Sequence, residues 1–311
     1  MIAVLPALAR PFVEPHLPPE IEARWFSTSD EANRMIADAE IAWVDMQPPQ
    51  LVGAALDKAR QLKWVATIYA GLDAFPLAHL ERMGATLTNG SGINAAAVAD
   101  YAVMSVLVAA KRFDKVLRAN DKREWLRDAP GKTELDATKA LIIGYGTIGR
   151  MIGERLQAFG VSVTGVRRTP ADGAIGPDDW RPRLGEYDWV ILAAPSTAGT
   201  RAMIGDKELR AMRRSAWLIN IARGDMIDAG ALADALGTHR IGGAVLDTTD
   251  PEPLPAGHRL WAAPNSVVTM HLSGRSQTSM FRRAAELFVE NLGNYRAGRP
   301  LRNAVDLAAG Y

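Results

Sequence analysis

The chain has 311 residues, 48% apolar and 23% charged, the balance of a folded globular protein and enough for two domains rather than one core. With 36 Lys and Arg against 35 Asp and Glu, the net charge of +1 lacks the positive excess that a dedicated nucleic-acid or membrane-surface binder needs. Cysteine is absent, which excludes disulfides, thiolate metal sites and a cysteine nucleophile, and fits a reducing, cytoplasmic setting.

Residues 1–10 have no basic n-region and carry Pro6 inside the apolar run, unlike a secretory signal. Short apolar runs at 2–5, 24–26, 42–44, 64–67 and 86–88 read as strands. Pro-rich turns and helical patterns such as 50–60 separate them, the rhythm of βαβ units and a parallel sheet. The most apolar stretch, 95–110, is shorter than the ~20 residues a bilayer requires and contains Asp100, so it reads as a buried helix. The spacing extends that helix over 94–113, before a looser charged stretch over 114–132 that contains Trp125. The βαβ rhythm then restarts, with strands at 140–143, 161–166, 189–192, 216–219, 243–246 and 267–269 and helical runs at 147–159, 207–213 and 229–236. Residues 277–296 form a last helix with Met280, Ala284, Leu287, Phe288, Leu292 and Tyr295 on one face, stopped by Gly298 and Pro300. Each half reads as a doubly wound α/β domain.

The sharpest local signal is Gly144-Tyr145-Gly146-Thr147-Ile148-Gly149, which follows a strand and opens a helix. In that context the first glycine permits the tight turn, the second lets a pyrophosphate approach the backbone, and the third lets helix and strand pack closely. The helix N-terminus offers free N–H groups and a positive dipole end to the phosphates. The next strand should end in the residue that reads the adenosine ribose. An acid there would accept from the ribose diol, but Arg167, Arg168 and Thr169 stand there instead. A guanidinium pairs with a 2′-phosphate, so NADP(H) is expected over NAD(H).

Three further polar segments follow strands of the same sheet, at the carboxyl edge where open α/β folds bind ligands. They are Asn220-Ile221-Ala222-Arg223-Gly224-Asp225, the run from Asp247 to Glu252-Pro253, and Met270-His271-Leu272-Ser273-Gly274. Singly, each has an ordinary explanation: a surface ion pair, a solvated carboxylate, a helix cap. Behind a dinucleotide loop, together, they make a site. The five histidines (His16, His79, His239, His258, His271) show no ligand spacing, and no metal is expected.

These motifs resemble, over nearly the whole chain, those of the D-isomer-specific 2-hydroxyacid dehydrogenases. The matches are the glycine loop, Pro195-x-Thr197-x-x-Thr200, Asn220-x-x-Arg223-Gly224 followed by Asp228-x-x-Ala231-Leu232, Asp247 five residues before Glu252-Pro253, and His271 near the last strand. Ala70-Gly71-Leu72-Asp73 resembles the family's substrate-carboxylate loop, and residues 94–101 its crossover helix. Met270 departs from the family's Pro, Thr248-Thr249 from an apolar pair, and Arg167 from the acid of NAD-using members. The long C-terminal extension of some phosphoglycerate dehydrogenases is not matched, which argues against that role.

The resemblance implies a Rossmann cofactor domain (93–275) inserted into a flavodoxin-like substrate domain (1–92 and 276–311), two crossings that would act as a hinge, and a homodimer through the helix from Asn94 and the arm bearing Trp125. It implies reversible reduction of a small 2-oxo acid (glyoxylate, hydroxypyruvate or an aryl-pyruvate) to the D-2-hydroxy acid with NADPH. Arg223 and the backbone around Tyr69, Ala70 and Gly71 would take the substrate carboxylate. Arg223 would also steady the charge growing on the oxo oxygen, and His271 would protonate that oxygen. Glu252 would hold the imidazole and favour its charged form. Pro195, Thr200, Ile221, Ala222, Asp247 and Ser273 would line the cofactor, Asp247 at the nicotinamide amide. Trp43, Tyr69 and Met270 are candidates to shape the pocket or to sit in the core. The same residues would also serve a non-catalytic NADP(H)-responsive binding protein, as in the family's corepressor branch, and turnover separates the two.

Overall fold

The computed structural model describes residues 1–48, 50–72, 74–170, 173–275 and 277–307; Asp73 of the expected carboxylate loop lies outside the described residues. The chain divides into two compact units, Met1–Asn94 with Gln277–Tyr311, and Ala95–Ser276. In chain order the strands and α-helices are β1 (Ile2–Pro6), α1 (Arg10–Val13), β2 (Glu22–Phe26), α2 (Ser29–Met35), β3 (Ile41–Trp43), α3 (Gln50–Leu56), β4 (Trp64–Ala66), α4 (Leu77–Met83) and β5 (Thr86–Thr88). Next come α5 (Ala95–Lys111), α6 (Phe113–Asp121), β6 (Lys139–Ile143), α7 (Thr147–Gln157), β7 (Ser162–Val166), β8 (Trp189–Leu192), α8 (Asp206–Ala211) and β9 (Trp217–Asn220). The last are α9 (Ala229–Gly237), β10 (Gly243–Leu246), α10 (Arg259–Ala262), β11 (Ser266–Val268) and α11 (Met280–Arg296).

The first unit is a parallel sheet in the order β2-β1-β3-β4-β5, the flavodoxin-like arrangement whose order reverses between β1 and β3. Its inner strands β1, β3 and β4 are apolar on both faces because helices cover both, while the edge strand β2 carries Glu22 and Arg24. Alternation sends Val4, Ala42, Val65 and Leu87 to one core with α3 and α4. It sends Leu5, Ile41, Trp43 and Trp64 to the other, where α11 packs. Phe288 of α11 stacks on Trp43 at 5.6 Å and on Trp64 at 4.9 Å between centroids, so the last helix is riveted to the first sheet. Trp43 is therefore core rather than pocket lining.

The second unit is a parallel sheet in the order β11-β10-β9-β8-β6-β7. Beyond β7, Ile175 makes one parallel bridge to Val166. Counting that bridge as a strand gives the dinucleotide-binding order, with the third strand shrunk to one residue and the reversal between β6 and β8. One face packs on α8 and α9, the other on α5 and α7.

The spacing predicts one helix through Phe113 and a looser charged stretch over 114–132. Instead α5 ends at Lys111, Arg112 takes a left-handed turn (φ 49°), and α6 follows. The Arg112 guanidinium explains the break. It holds Asp114 with two bonds of 3.1 Å and lies 5.3 Å from the centroid of the Trp217 ring. Among the described residues no helix is long and apolar enough to cross a membrane.

Candidate active site

The turn from β6 into α7 sits where the order of the six-stranded sheet reverses. Gly144 has φ +100°, and a Cβ there would lie 2.3 Å from the Ala194 nitrogen, so the turn nests against the end of β8. A Cβ on Gly149 would lie 2.2 Å from the Gly144 carbonyl oxygen. At Gly146 a Cβ would meet nothing within 4 Å, so the approach to the N-terminus of α7 is open, and no side chain caps that helix. Two glycines that must pack closely and one that faces space form a cradle that fits a pyrophosphate.

Tyr145 is one of the expected cofactor contacts, and its side chain packs partly on the core of the second unit. Its ring lies against Gly165 of β7, where a Cβ would come within 2.2 Å, and its hydroxyl faces Gly153 of α7. Its side chain is partly buried there. Thr147 is exposed, and Ile148 packs partly on the core. Arg167 directly follows β7, half-buried, with its N–H bonded to the Ile175 carbonyl at 3.0 Å. Arg168 and Thr169 are exposed beyond it.

Pro195 and Thr200 form a self-contained turn after β8. The Thr200 hydroxyl donates to the Pro195 carbonyl (2.8 Å) and accepts from the Thr197 N–H (2.8 Å). Ser196 donates to Asp225 at 2.7 Å and so ties this turn to the loop after β9. In that loop Ile221 and Ala222 are buried. Asn220, fully buried, accepts from the Ala222 N–H (3.0 Å) and donates to the Arg223 carbonyl (2.8 Å). Asn220 has no expected role beyond its place in the motif, although a polar residue ending the otherwise apolar β9 is itself a signal. Gly224 lets this loop lie directly on the next, since a Cβ would fall 1.9 Å from the Thr249 carbonyl carbon.

The loop after β10 carries Asp247 and Glu252, and the loop after β11 carries His271. His271 Nδ1 meets Glu252 Oε2 at 2.7 Å, and Glu252 Oε1 accepts from the Thr249 N–H at 3.0 Å. Burial alone would raise the Glu252 carboxyl. The bonds from His271 and Thr249, with the charges of His271 and Arg223, outweigh burial and hold it below the usual carboxylate range. With Nδ1 bonded to Glu252, Nε2 is the ring nitrogen left to carry a proton outward.

Asp247, expected at the nicotinamide amide, is 2% exposed and serves its own neighbourhood. Its carboxylate accepts from the Thr269 hydroxyl (2.8 Å), the Leu272 N–H (2.9 Å) and the Ser273 N–H (3.2 Å), and its carbonyl from the His271 N–H (2.6 Å). Asp247 thus fixes the whole loop that presents His271. Ser273 is buried in it, and Met270 is 62% exposed beside His271. Met270 and His271 both have left-handed backbones, φ 56° and 55°. Among the described residues no group of three His, Asp or Glu side chains is placed to hold a metal ion.

In the first unit, the loop after β4 carries Tyr69, Ala70 and Gly71. The Tyr69 N–H donates to the Thr67 hydroxyl (3.0 Å), and its phenol sits between Gln47 Nε2 (2.6 Å) and the Met46 carbonyl (3.2 Å). The N–H groups of Ala70 and Gly71 meet no acceptor among the described residues.

Residues 103–273 match the model of the D-isomer specific 2-hydroxyacid dehydrogenase NAD binding domain. The chain belongs to the D-isomer-specific 2-hydroxyacid dehydrogenase family. It is 33% identical to a glycerate dehydrogenase of Methylorubrum extorquens across 97% of this chain and 96% of that one. It is 31% identical to a glyoxylate reductase of Thermococcus gammatolerans across 83% and 80%. Among solved structures it is similar to a D-isomer specific 2-hydroxyacid dehydrogenase from Xanthobacter autotrophicus Py2, crystallised with NADPH and MES (TM-score 0.80, 27% identity, 99% of both chains).

Proposed function

We propose that this protein reduces a small 2-oxo acid, of the size of glyoxylate or hydroxypyruvate, to the D-2-hydroxy acid with NADPH. The observation that carries the reading is the 2.7 Å pair of His271 and Glu252, held on loops of the same sheet edge as Arg223 and the glycine cradle. The relatives named as glycerate dehydrogenase and glyoxylate reductase support the substrate class. Arg167, standing where an acid would bind a ribose diol, supports NADPH, as does the NADPH bound to the Xanthobacter protein.

In this reading the second unit holds the cofactor and the first binds substrate. Bound NADPH supplies the hydride that reaches the oxo carbon. The α7 N–H groups hold the pyrophosphate, and Arg167 pairs with the 2′-phosphate. Arg223 presents fixed positive charge to the oxo oxygen as electron density collects there. The Ala70 and Gly71 N–H groups take the substrate carboxylate. His271, oriented by Glu252, delivers a proton from Nε2 to the new alkoxide and leaves the imidazole neutral but still bonded.

We also infer a homodimer through the second unit. Met104, Phe113, Leu117, Trp125, Leu126 and Phe159 are large apolar side chains exposed on that unit, Trp125 at 93%. So many exposed on one unit mark an interaction surface.

The test is a panel of 2-oxo acids assayed with NADPH and with NADH, following nicotinamide absorbance. Rapid NADPH-dependent turnover of glyoxylate or hydroxypyruvate supports the reading. NADPH binding without turnover of any acid overturns it.

A further inference from the structure

Asp45 is an ionisable group that the reaction above leaves unused. It stands two residues past β3, at the carboxyl edge of the five-stranded sheet and on one of the two strands where its order reverses. That crevice is where open α/β sheets receive ligands. The carboxylate is mostly buried, and three donors converge on it. Oδ2 accepts from the Trp43 indole (2.7 Å) and the Ile68 N–H (2.5 Å), and Oδ1 from the Thr67 hydroxyl (2.5 Å). The Thr67 oxygen in turn accepts from the Tyr69 N–H (3.0 Å).

One carboxylate thereby grips three successive residues of the loop that leads into Ala70 and Gly71. The loop is clamped from its other side as well. The Gly90 N–H bonds the Tyr69 carbonyl (2.9 Å), and Asn89 bonds that of Ala70 (3.2 Å). A Cβ on Gly90 would fall 2.0 Å from the Ile68 carbonyl oxygen. With both carbonyls turned to that clamp, the N–H groups of Ala70 and Gly71, unpartnered among the described residues, are what the loop has left to offer an anion.

We propose that Asp45 is a positioning residue for the substrate carboxylate, holding Thr67, Ile68 and Tyr69 so that the Ala70 and Gly71 N–H groups stay aimed at it. The proposal rests on the reading of 69–71 as the substrate loop. Three donors on two oxygens suit a group that only accepts, so the grip is tightest in the ionised form. Burial pushes the Asp45 carboxyl up to about 6, against the lowering effect of the Ile68, Thr67 and Trp43 bonds. None of the three bonded groups is charged, and the titratable phenol of the same loop, Tyr69, is turned to Gln47 and Met46. The grip is complete above that value and loosens as pH falls through it.

Asp45→Asn keeps the volume and imitates the protonated acid. It should raise KM for glyoxylate about ten-fold while kcat and NADPH affinity stay within about two-fold. In the unaltered protein KM should climb as pH falls through about 6, and in the variant it should be high and flat. A role in folding alone would move kcat, cofactor affinity and KM together. A readout that needs neither turnover nor a variant is the pH titration of the Ile68 and Tyr69 amide signals by NMR in the unaltered protein. Both should move together with a midpoint near 6. Amides indifferent to pH in that range, or a variant with unchanged KM, would overturn the proposal. If no 2-oxo acid is turned over, the substrate reading fails, and the amide titration still decides whether Asp45 grips the loop.

Discussion

Asp45 and Asp247 make an instructive pair. Each lies just past the end of a parallel strand, one in each sheet, and each turns its carboxylate to the loop that follows the neighbouring strand. Asp247 thereby fixes the loop of His271, and Asp45 the loop of Tyr69, Ala70 and Gly71. The donors differ. Asp247 accepts two backbone N–H groups and one hydroxyl, so its grip depends little on side chains. Asp45 accepts one backbone N–H, one hydroxyl and one indole, so its loop is tied through the chemistry of Thr67 and Trp43. The loop of His271 is held mostly through backbone groups; the loop proposed to receive the substrate is held by a carboxyl that burial pushes up to about 6.

The largest effect should come from removing what the Asp247 loop presents. His271→Ala should lower kcat by about 10² to 10⁴-fold with NADPH affinity nearly unchanged, measured by steady-state kinetics and cofactor titration. Loosening that loop without removing the imidazole should cost less. Asp247→Asn should lower kcat by about 10- to 100-fold, because the ring remains but drifts from its place. An equal rise in the NADPH dissociation constant would instead return Asp247 to a direct role at the nicotinamide. Arg167→Asp leaves both loops alone and should shift the NADPH-to-NADH ratio of kcat/KM toward NADH by about ten-fold or more.

The smallest effect is on pH. Glu252 is held below the ordinary carboxylate range, so its pairing with His271 is present above that range and is lost only as pH falls through the lowered value. Glu252→Gln should abolish this acid-side loss. A pH profile untouched by the substitution would break the assignment of Glu252 to His271.

Much of the second unit was legible because its constraints are local. Gly149 meets the Gly144 carbonyl within the loop, Gly144 meets Ala194 past the neighbouring strand, and Gly146 faces open space, clearances that follow the motif's logic. His271 and Glu252 stand 19 positions apart, but each follows a strand, and parallel strands bring their ends together. Where a residue's role depended on which way its side chain turned, the string was silent. Tyr145 folds under the cradle, Trp43 packs on Phe288, and Asp247 bonds its neighbours. The helix at Phe113–Asp121 carries an apolar stripe of Phe113, Val116 and Leu117, but the stripe is short and four charged residues among nine give the segment the look of a loose charged stretch. Asp45 could have been found by the logic that found Asp247, an acid just past an apolar strand, but the prolines that follow it suggested only a turn.

The measurement that bears most directly on this account is the product itself. The protein would be incubated with NADPH and hydroxypyruvate, and the glycerate formed resolved by chiral chromatography, with His271→Ala in parallel. The account predicts D-glycerate in step with NADPH consumed, and almost none from the variant. L-glycerate, or equal yields from both proteins, would contradict it.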